Sequence, residues 1–287
     1  MPDPLLQFID VSYTYPGTQH PALNCLSLSI PAGQKSVLIG HNGCGKSTFL
    51  CLADGLYKPD LGIISWKSTP LSYDSRSLTQ WRQRIGLSFQ DPEKQLVAGT
   101  VAEDISYGLC NQPLPDREIE QRLHQTLVDF ALQPLADRPL HHLSLGQKRR
   151  VALAGVMALQ PELLLLDEPT AYLDSQQTQN LLQELDRIHR QGTTIVMATH
   201  NLDLAYTWAD HVFVLHRGEL VLSGETNKVF GNVAFLKQLQ LGLPTLLEIW
   251  YILPAVLRDR QPPPRTIAEL QRYWLDASLN SLAQNQI

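Results

Sequence analysis

Strands that alternate with helices predict an α/β fold: a mostly parallel sheet core with an antiparallel β layer, a helical subdomain and a helical C-terminal extension. Three observations carry this reading. An apolar run, Ser36-Val37-Leu38-Ile39, leads into a glycine-rich loop at 40–48, GHNGCGKST, and then into a helix start. A second apolar run, Leu163 to Leu166, ends abruptly in Asp167 and Glu168. Residues 5–30 alternate apolar with polar, as half-buried strands do.

Taken in order, LLQFIDVSYTYPG and ALNCLSLSIPAG read as two or three antiparallel strands closed by Pro31-Ala32-Gly33. A strand at 35–39, the glycine loop and a helix follow, and LGIISWK at 61–67 reads as another strand. From Trp81 to Gln90 the chain passes through the strand IGLSFQ into the polar loop DPEKQ. From about Val101 to Leu159 the apolar spacing turns helical, with Ile119, Leu123, Leu127, Val128 and Phe130 three or four apart for the most part. Strand PELLLLDEP, helix SQQTQNLLQELDRIHRQG stopped by Gly192, strand TTIVMATH and a hairpin turning at Arg217-Gly218 restore the core. The expected division is one lobe over residues 1–230, with its helical subdomain at about 92–160, and a separate helical tail at 231–287 broken by Gln261-Pro262-Pro263-Pro264.

Composition narrows the function. The 287 residues suffice for one good core and a smaller lobe. A formal net charge of −5 and the absence of any long basic run argue against a nucleic-acid partner. Cys25, Cys44, Cys51 and Cys110 form no C-x-x-C pair, which suits free thiols in a reducing compartment. The opening MPDPLLQFID has no basic n-region, so no secretory leader is expected. The most apolar long stretch, Leu243 to Leu257, is short for a bilayer span and is interrupted by Glu248 and Pro254.

The loop fits G-x-x-x-x-G-K-[ST] through Gly40, Gly45, Lys46 and Ser47, a match that arises by chance in roughly 1% of chains of this length at average residue usage. Glycines let backbone N–H groups turn inward around phosphate oxygens, and the following helix N-terminus adds its positive dipole end. Gly40, His41, Asn42, Gly43, Cys44, Gly45, Lys46, Ser47 and Thr48 are thus the candidate nucleotide cradle. Lys46 would reach the β- and γ-phosphates and Ser47 would ligate Mg²⁺. Asp167, emerging where a buried strand ends, would hold Mg²⁺ with ATP, and Glu168 would orient or deprotonate the attacking water. The plain alternative for these two acids is a structural ion pair.

Tyr15, the loop 40–48, Gln90, the turn Ser144-Leu145-Gly146-Gln147, Asp167-Glu168, Asp174 and His200 occur in an order and spacing that resembles the ATPase subunit of ATP-binding-cassette (ABC) transporters. The resemblance covers residues 5 to about 230. Within that family LSFQDPEKQLVAGTVAEDISYG and LSLGQKRRVALAGVMALQPELLLLDEPTAYLD look most like the energy-coupling-factor group, which powers uptake of cobalt, nickel or vitamins. The tail after residue 231 is similar to that group's C-terminal extension.

The resemblance implies further roles. Tyr15 would stack on adenine, with Tyr13 as the rival position. Gln90 would be a Mg²⁺ and water ligand that senses a membrane partner, and His200 would lie beside the γ-phosphate, although a loop Gln and a strand-end His are more often structural. Ser144, Leu145, Gly146 and Gln147 would close over the ATP of a second subunit packed head to tail, with Asp174 in the neighbouring D-loop. Leu145 departs from the commoner Gly at its position. Cys44 takes a place often held by Ser and is a candidate for oxidation or alkylation. Gln95-Leu96-Val97-Ala98 would border a groove for a transmembrane coupling subunit, or simply start a packed helix. The implied assembly is a homodimer or heterodimer of ABC ATPases with coupling and substrate-binding membrane subunits, peripheral on the cytoplasmic face of the membrane. The tail would add to dimer contacts. A soluble cassette ATPase of translation or DNA repair is the alternative; one cassette and no sustained heptads disfavour it. A binding-only subunit with a dead site is disfavoured by intact Lys46, Asp167, Glu168 and His200.

Overall fold

The computed structural model describes residues 4–258 and 261–284. The chain begins with β1 (Pro4–Tyr13), β2 (Leu23–Pro31) and β3 (Lys35–Ile39), followed by α1 (Lys46–Ala53). Next come β4 (Leu61–Trp66), β5 (Thr69–Pro70), α2 (Ser75–Arg84) and β6 (Ile85–Ser88). A helical stretch holds α3 (Val101–Cys110), α4 (Asp116–Asp129) and α5 (Leu145–Ala158). The core returns with β7 (Leu163–Asp167), α6 (Ser175–Arg190), β8 (Thr194–Ala198), α7 (Leu202–Trp208), β9 (His211–His216) and β10 (Glu219–Glu225). The C-terminal segment carries α8 (Thr226–Gly231), α9 (Val233–Gln238), α10 (Thr245–Ile252), α11 (Ala255–Arg258) and α12 (Ile267–Gln284).

Two sheets organise these elements. One is antiparallel and four-stranded, in the order β2-β1-β4-β5; the other is six-stranded, β10-β9-β3-β8-β7-β6. In the second, β6, β7, β8, β3 and β9 run parallel, and β10 returns antiparallel through the Arg217-Gly218 turn, both of whose residues have positive φ (50° and 83°) as a two-residue hairpin requires. The expected fold is thus present, with a parallel core and an antiparallel layer as separate sheets.

Period-two alternation divides the interior. Val37 and Ile39, Leu164 and Leu166, Ile195 and Met197, Val212 and Val214 face one core, formed with α3, α5, α6 and α7. Leu38, Leu163, Leu165, Val196, Ala198, Phe213 and Leu215 face the other, formed with α1, β1 and β2. Strands buried on both faces read as continuous apolar runs, which is why LLLLD and TIVMA carry no polar alternation. Helices α2, α7 and α8 were not anticipated. In α2 only Trp81 is buried, so SRSLTQWRQR shows almost no apolar stripe; α7 is a short helix capped by Asn201, whose carboxamide oxygen accepts from Leu204 N at 3.0 Å.

The C-terminal segment shares the first core: Leu236, Leu241, Leu246, Leu247 and Trp250 are all buried there. It is also tied by polar contacts to α7 and to the glycine loop. Asp203 accepts from Thr245 N at 2.6 Å, Tyr206 Oη donates to Pro264 O at 3.0 Å, and His41 Nε2 lies 2.9 Å from Leu239 O. Among the described residues no helix is long and apolar enough to cross a membrane.

Candidate nucleotide site

The parallel strands deliver their C-terminal ends to one edge, where ligands of open α/β sheets bind. β3 lies beside β8, β8 beside β7 and β7 beside β6, so the glycine loop, Thr199-His200, Asp167-Glu168 and Gln90 emerge next to one another. Together with Tyr15, Asn42, Gly43, Lys46, Ser47 and Thr48 they line a cleft of about 840 Å³, within the usual range for small-molecule sites. A cleft of similar size, about 870 Å³, separates α4 from the C-terminal end of α6. It lies away from the glycine loop, and its charges are largely matched (Arg122 with Glu118, Arg187 with Glu184), so the chemistry favours the first.

The loop's shape depends on its glycines. Gly40 has φ 152°, and a Cβ there would lie 2.3 Å from Leu215 O; Gly45 has φ 107°, and a Cβ would lie 2.6 Å from Ala22 O. Neither position admits a side chain, so the backbone can turn inward toward an anion, although Cys44 N–H is itself engaged, donating to His41 O at 3.2 Å. Lys46 is buried and folds back on the loop, donating to Gly40 O at 2.8 Å and His41 O at 3.3 Å. These carbonyls hold the ammonium in the position from which phosphate oxygens would take it over. Cys44 is buried as well, and burial raises its thiol pKa, Lys46 opposing. The thiol is thus shielded and poorly ionised, contrary to its candidacy for easy oxidation or alkylation.

Asp167 ends β7 half-buried. Burial raises its pKa, the Ser47 hydroxyl that hydrogen-bonds it and the Lys46 charge lower it, and Glu168 raises it further. Ser47, Asp167 and Gln90 offer hydroxyl, carboxylate and carboxamide oxygens, hard donors of the kind Mg²⁺ takes, so the residues present fit that ion.

Glu168 has φ 44°, a conformation that L side chains seldom adopt. Its amide donates to Ala198 O at 2.9 Å, which pins it to the end of β8. One carboxylate oxygen accepts from Thr199 Oγ1 at 3.1 Å and the other from His200 Nδ1 at 2.9 Å. Glu168 is buried while the His200 side chain is 65% exposed, so an oriented carboxylate sits behind a ring at the mouth of the cleft. Tyr15 lines the cleft and its hydroxyl is 3.0 Å from Thr48 Oγ1, whereas Tyr13 stacks on Tyr57 outside the lining.

The turn 144–147 does not join this cleft. Ser144 and Gln147 make a reciprocal capping box: Gln147 N donates to Ser144 Oγ at 3.3 Å, and Ser144 N to Gln147 Oε1 at 3.0 Å. Ser144, Gly146 and Gln147 line a different groove, shared with α6. Leu145 is 39% exposed in the first turn of α5, in helical conformation, so the backbone there does not require glycine. Asp174 caps α6, accepting from Gln177 N at 2.7 Å.

Sequence reasoning passed over Thr199, Tyr172 and Arg149. Thr199 stands one place before His200 at an apolar strand end, a position that could have flagged it. Tyr172 lines the cleft, is 81% exposed and has φ 62°. Arg149 is buried on α5; nothing in a helix of mixed basic and apolar residues marks one arginine as interior.

Comparison with known proteins identifies the family. The ABC transporter family model matches residues 23–171. A provisionally named ABC transporter ATP-binding protein of Thermosynechococcus vestitus is 56% identical over 94% of this chain and 94% of its own. The energy-coupling factor transporter ATP-binding protein EcfA of Methanocaldococcus jannaschii is 37% identical, covering 85% and 87% of the two chains. The cobalt import ATP-binding protein CbiO of Rhodobacter capsulatus is 38% identical, covering 96% and 97%. The solved structure of cbiO1 from Clostridium perfringens, described as part of the ABC transporter complex cbiONQ, matches with a TM-score of 0.74 at 35% identity, over 87% of this chain and 98% of that one.

Proposed function

The chain belongs to the ABC transporter family as an ATP-hydrolysing subunit of energy-coupling-factor type, and from that premise we propose that it is the motor of a membrane importer, for cobalt or nickel or else a vitamin. One observation carries the reading: Lys46, Ser47, Gln90, Asp167, Glu168 and His200 share one cleft, while Ser144, Gly146 and Gln147 face elsewhere. The turn 144–147, which does not face its own cleft, is suited to serve a neighbour's, so we infer a head-to-tail dimer with either an identical chain or a second ABC ATPase.

In that dimer ATP lies on the loop 40–48 with its phosphates on the loop amides and on Lys46. Tyr15 meets the adenine, a role that its place in the cleft wall supports. Mg²⁺ held by Ser47, Asp167 and Gln90 would neutralise charge on the β- and γ-phosphates. Glu168, held by Thr199 and His200, orients the attacking water and takes its proton, and His200 faces the γ-phosphate. Ser144 and Gly146 of the neighbour close the site. ATP bound by both surfaces favours the closed state, and hydrolysis removes that preference.

The proposed division keeps residues 1–230 as the ATPase lobe, with the helical subdomain at about 92–160, and 231–287 as the extension. Gln95 accepts from Phe89 N at 3.2 Å and donates to Ala152 O at 3.0 Å, which leaves Val97, 63% exposed, beside it for a coupling subunit. Such a subunit, with a substrate-binding membrane partner, would hold the chain at the cytoplasmic face of the membrane. The name of the Rhodobacter relative supports cobalt over a vitamin. The test is affinity purification of the full chain with its membrane partners, followed by Mg²⁺-dependent ATPase assay and cobalt or nickel uptake in vesicles. Co-purification of a multi-spanning protein with ATP-driven uptake supports the proposal. ATPase activity that co-sediments with ribosomes or DNA instead would overturn it.

A further inference from the structure

Arg149 lies five residues into α5, two residues past the capping box at 144–147, with only 5% of its surface exposed. Its guanidinium makes no ion pair among the described residues. Its partners are three backbone carbonyls. Nη1 donates to Pro169 O and, at 2.8 Å, to Ala171 O; Nη2 donates to Gln90 O at 3.1 Å. Nε has no hydrogen-bond partner among the described residues. A cation buried on carbonyl dipoles, with the Asp91 charge helping only from beyond ion-pair distance, is costly, and an apolar side chain of similar size would satisfy the packing more cheaply. The cost is offset only if the geometry is useful.

The three carbonyls belong to the two loops that carry the hydrolytic residues. Gln90 follows β6, and Pro169 and Ala171 follow Glu168. Two other contacts join α5 to the first loop: Lys148 pairs with Glu93, and Ala152 O accepts from Gln95. Gly86 lets α5 approach β6 so closely that a Cβ there would lie 2.3 Å from Val156 Cγ1. Among these contacts only Arg149 also reaches the second loop.

We propose that Arg149 is a positioning residue that ties the turn 144–147, which meets the neighbour's ATP, to Gln90 and Glu168, which act on the chain's own ATP. The proposal rests on the head-to-tail reading. Because Arg149 lies on the same rigid helix only two residues beyond Gln147, a displacement of Ser144–Gln147 on dimer closure moves the three carbonyls with it. Closure of one site thereby sets the water-orienting groups of the other, and the two sites fire together.

The test compares Arg149→Lys and Arg149→Met with the unaltered full chain. Lysine keeps the charge but is a point donor that cannot span three carbonyls as a planar fork does. In the assembled ATPase both variants should lose about tenfold or more in kcat, with KM within about threefold and the Hill coefficient for ATP falling toward 1. Hydrogen–deuterium exchange on the full chain alone should show amides at 89–91 and 168–172 exchanging about tenfold faster or more, with α5 still protected. Unchanged kcat and unchanged loop exchange in either variant would overturn the proposal. So would loss of protection along all of α5 together with loss of nucleotide binding, which marks a merely structural residue. The exchange readout needs no partner, so it separates failure of this proposal from failure of the motor reading, which instead shows as ATPase activity that co-sediments with ribosomes or DNA.

Discussion

At Glu168 the backbone is strained and the side chain is held on both oxygens, an arrangement that fixes a carboxylate in one direction. Glu168→Gln keeps the shape and the Thr199 contact but removes the base. ATP binding should therefore persist while kcat falls by about 10²–10⁴-fold, measured by nucleotide titration and phosphate release. Tyr172 shows the opposite balance: a left-handed φ of 62° on a side chain that is 81% exposed. Its burial contributes little, so Tyr172→Gly should stabilise the fold by about 0.5–1 kcal/mol in urea unfolding. The thiols also separate by environment. Cys25 and Cys110 are exposed, whereas burial raises Cys44, and burial with Asp167 and Asp54 pushes Cys51 to about 11. At neutral pH a maleimide should label the exposed pair first, read by peptide mass spectrometry; faster reaction at Cys44 would contradict the shielded loop. The gathering of Lys46, Ser47, Asp167 and Glu168 in one cleft was legible because phosphate and metal chemistry restrict which residues can stand after a strand. Arg149 was illegible because its function lies in which carbonyls surround it, and carbonyls leave no trace in a sequence.

Among elements, α1 combines site and stability. It opens on Lys46 and ends at Asp54, which burial pushes up to about 7 against the opposing charge of Arg82. The unfolded value is 3.8. An acid whose folded pKa is raised binds its proton more tightly when folded, so it supports the fold fully below the unfolded pKa, and that support drains away as pH rises to about 7. Asp54→Asn should therefore gain stability over the unaltered chain progressively between about pH 4 and 7 and hold that gain above, in denaturant titrations at stepped pH. A constant difference across that window would contradict the raised pKa. Strands and long helices were readable because their patterns repeat. α2 was not, since Trp81 alone anchors it, and neither was α7, whose seven residues are too few to show a period. Tyr15 was preferred to Tyr13 from sequence, but the reason was not visible there: Tyr13 stacks on Tyr57, two strands' worth of sequence away, and Tyr15 lines the cleft.

For the whole molecule, the C-terminal segment bears on the ATPase lobe directly. Trp250 is 2% exposed in the core shared with α5 and β8, so Trp250→Ala should cost about 3–5 kcal/mol, seen as a large fall in the unfolding midpoint of the entire chain. Deleting 232–287 would remove Leu236, Leu241, Leu246 and Leu247 as well, and its effect on dimerisation must be judged against that loss of core. Sequence patterning separated this segment from the lobe because the linking contacts, His41 with Leu239 O and Arg265 with Tyr206 O, join residues far apart in the chain. The separation of Ser144–Gln147 from the cleft that holds Glu168 has a genetic consequence. A chain damaged at Gly146 and a chain damaged at Glu168 fail in different places. Where the head-to-tail partner is an identical chain, co-expression gives mixed pairs in which one composite site inherits both intact halves and the other both defects. Two null alleles should then complement each other within the gene and restore at most about a quarter of the working sites at random pairing, less whatever the Arg149 coupling costs the intact site.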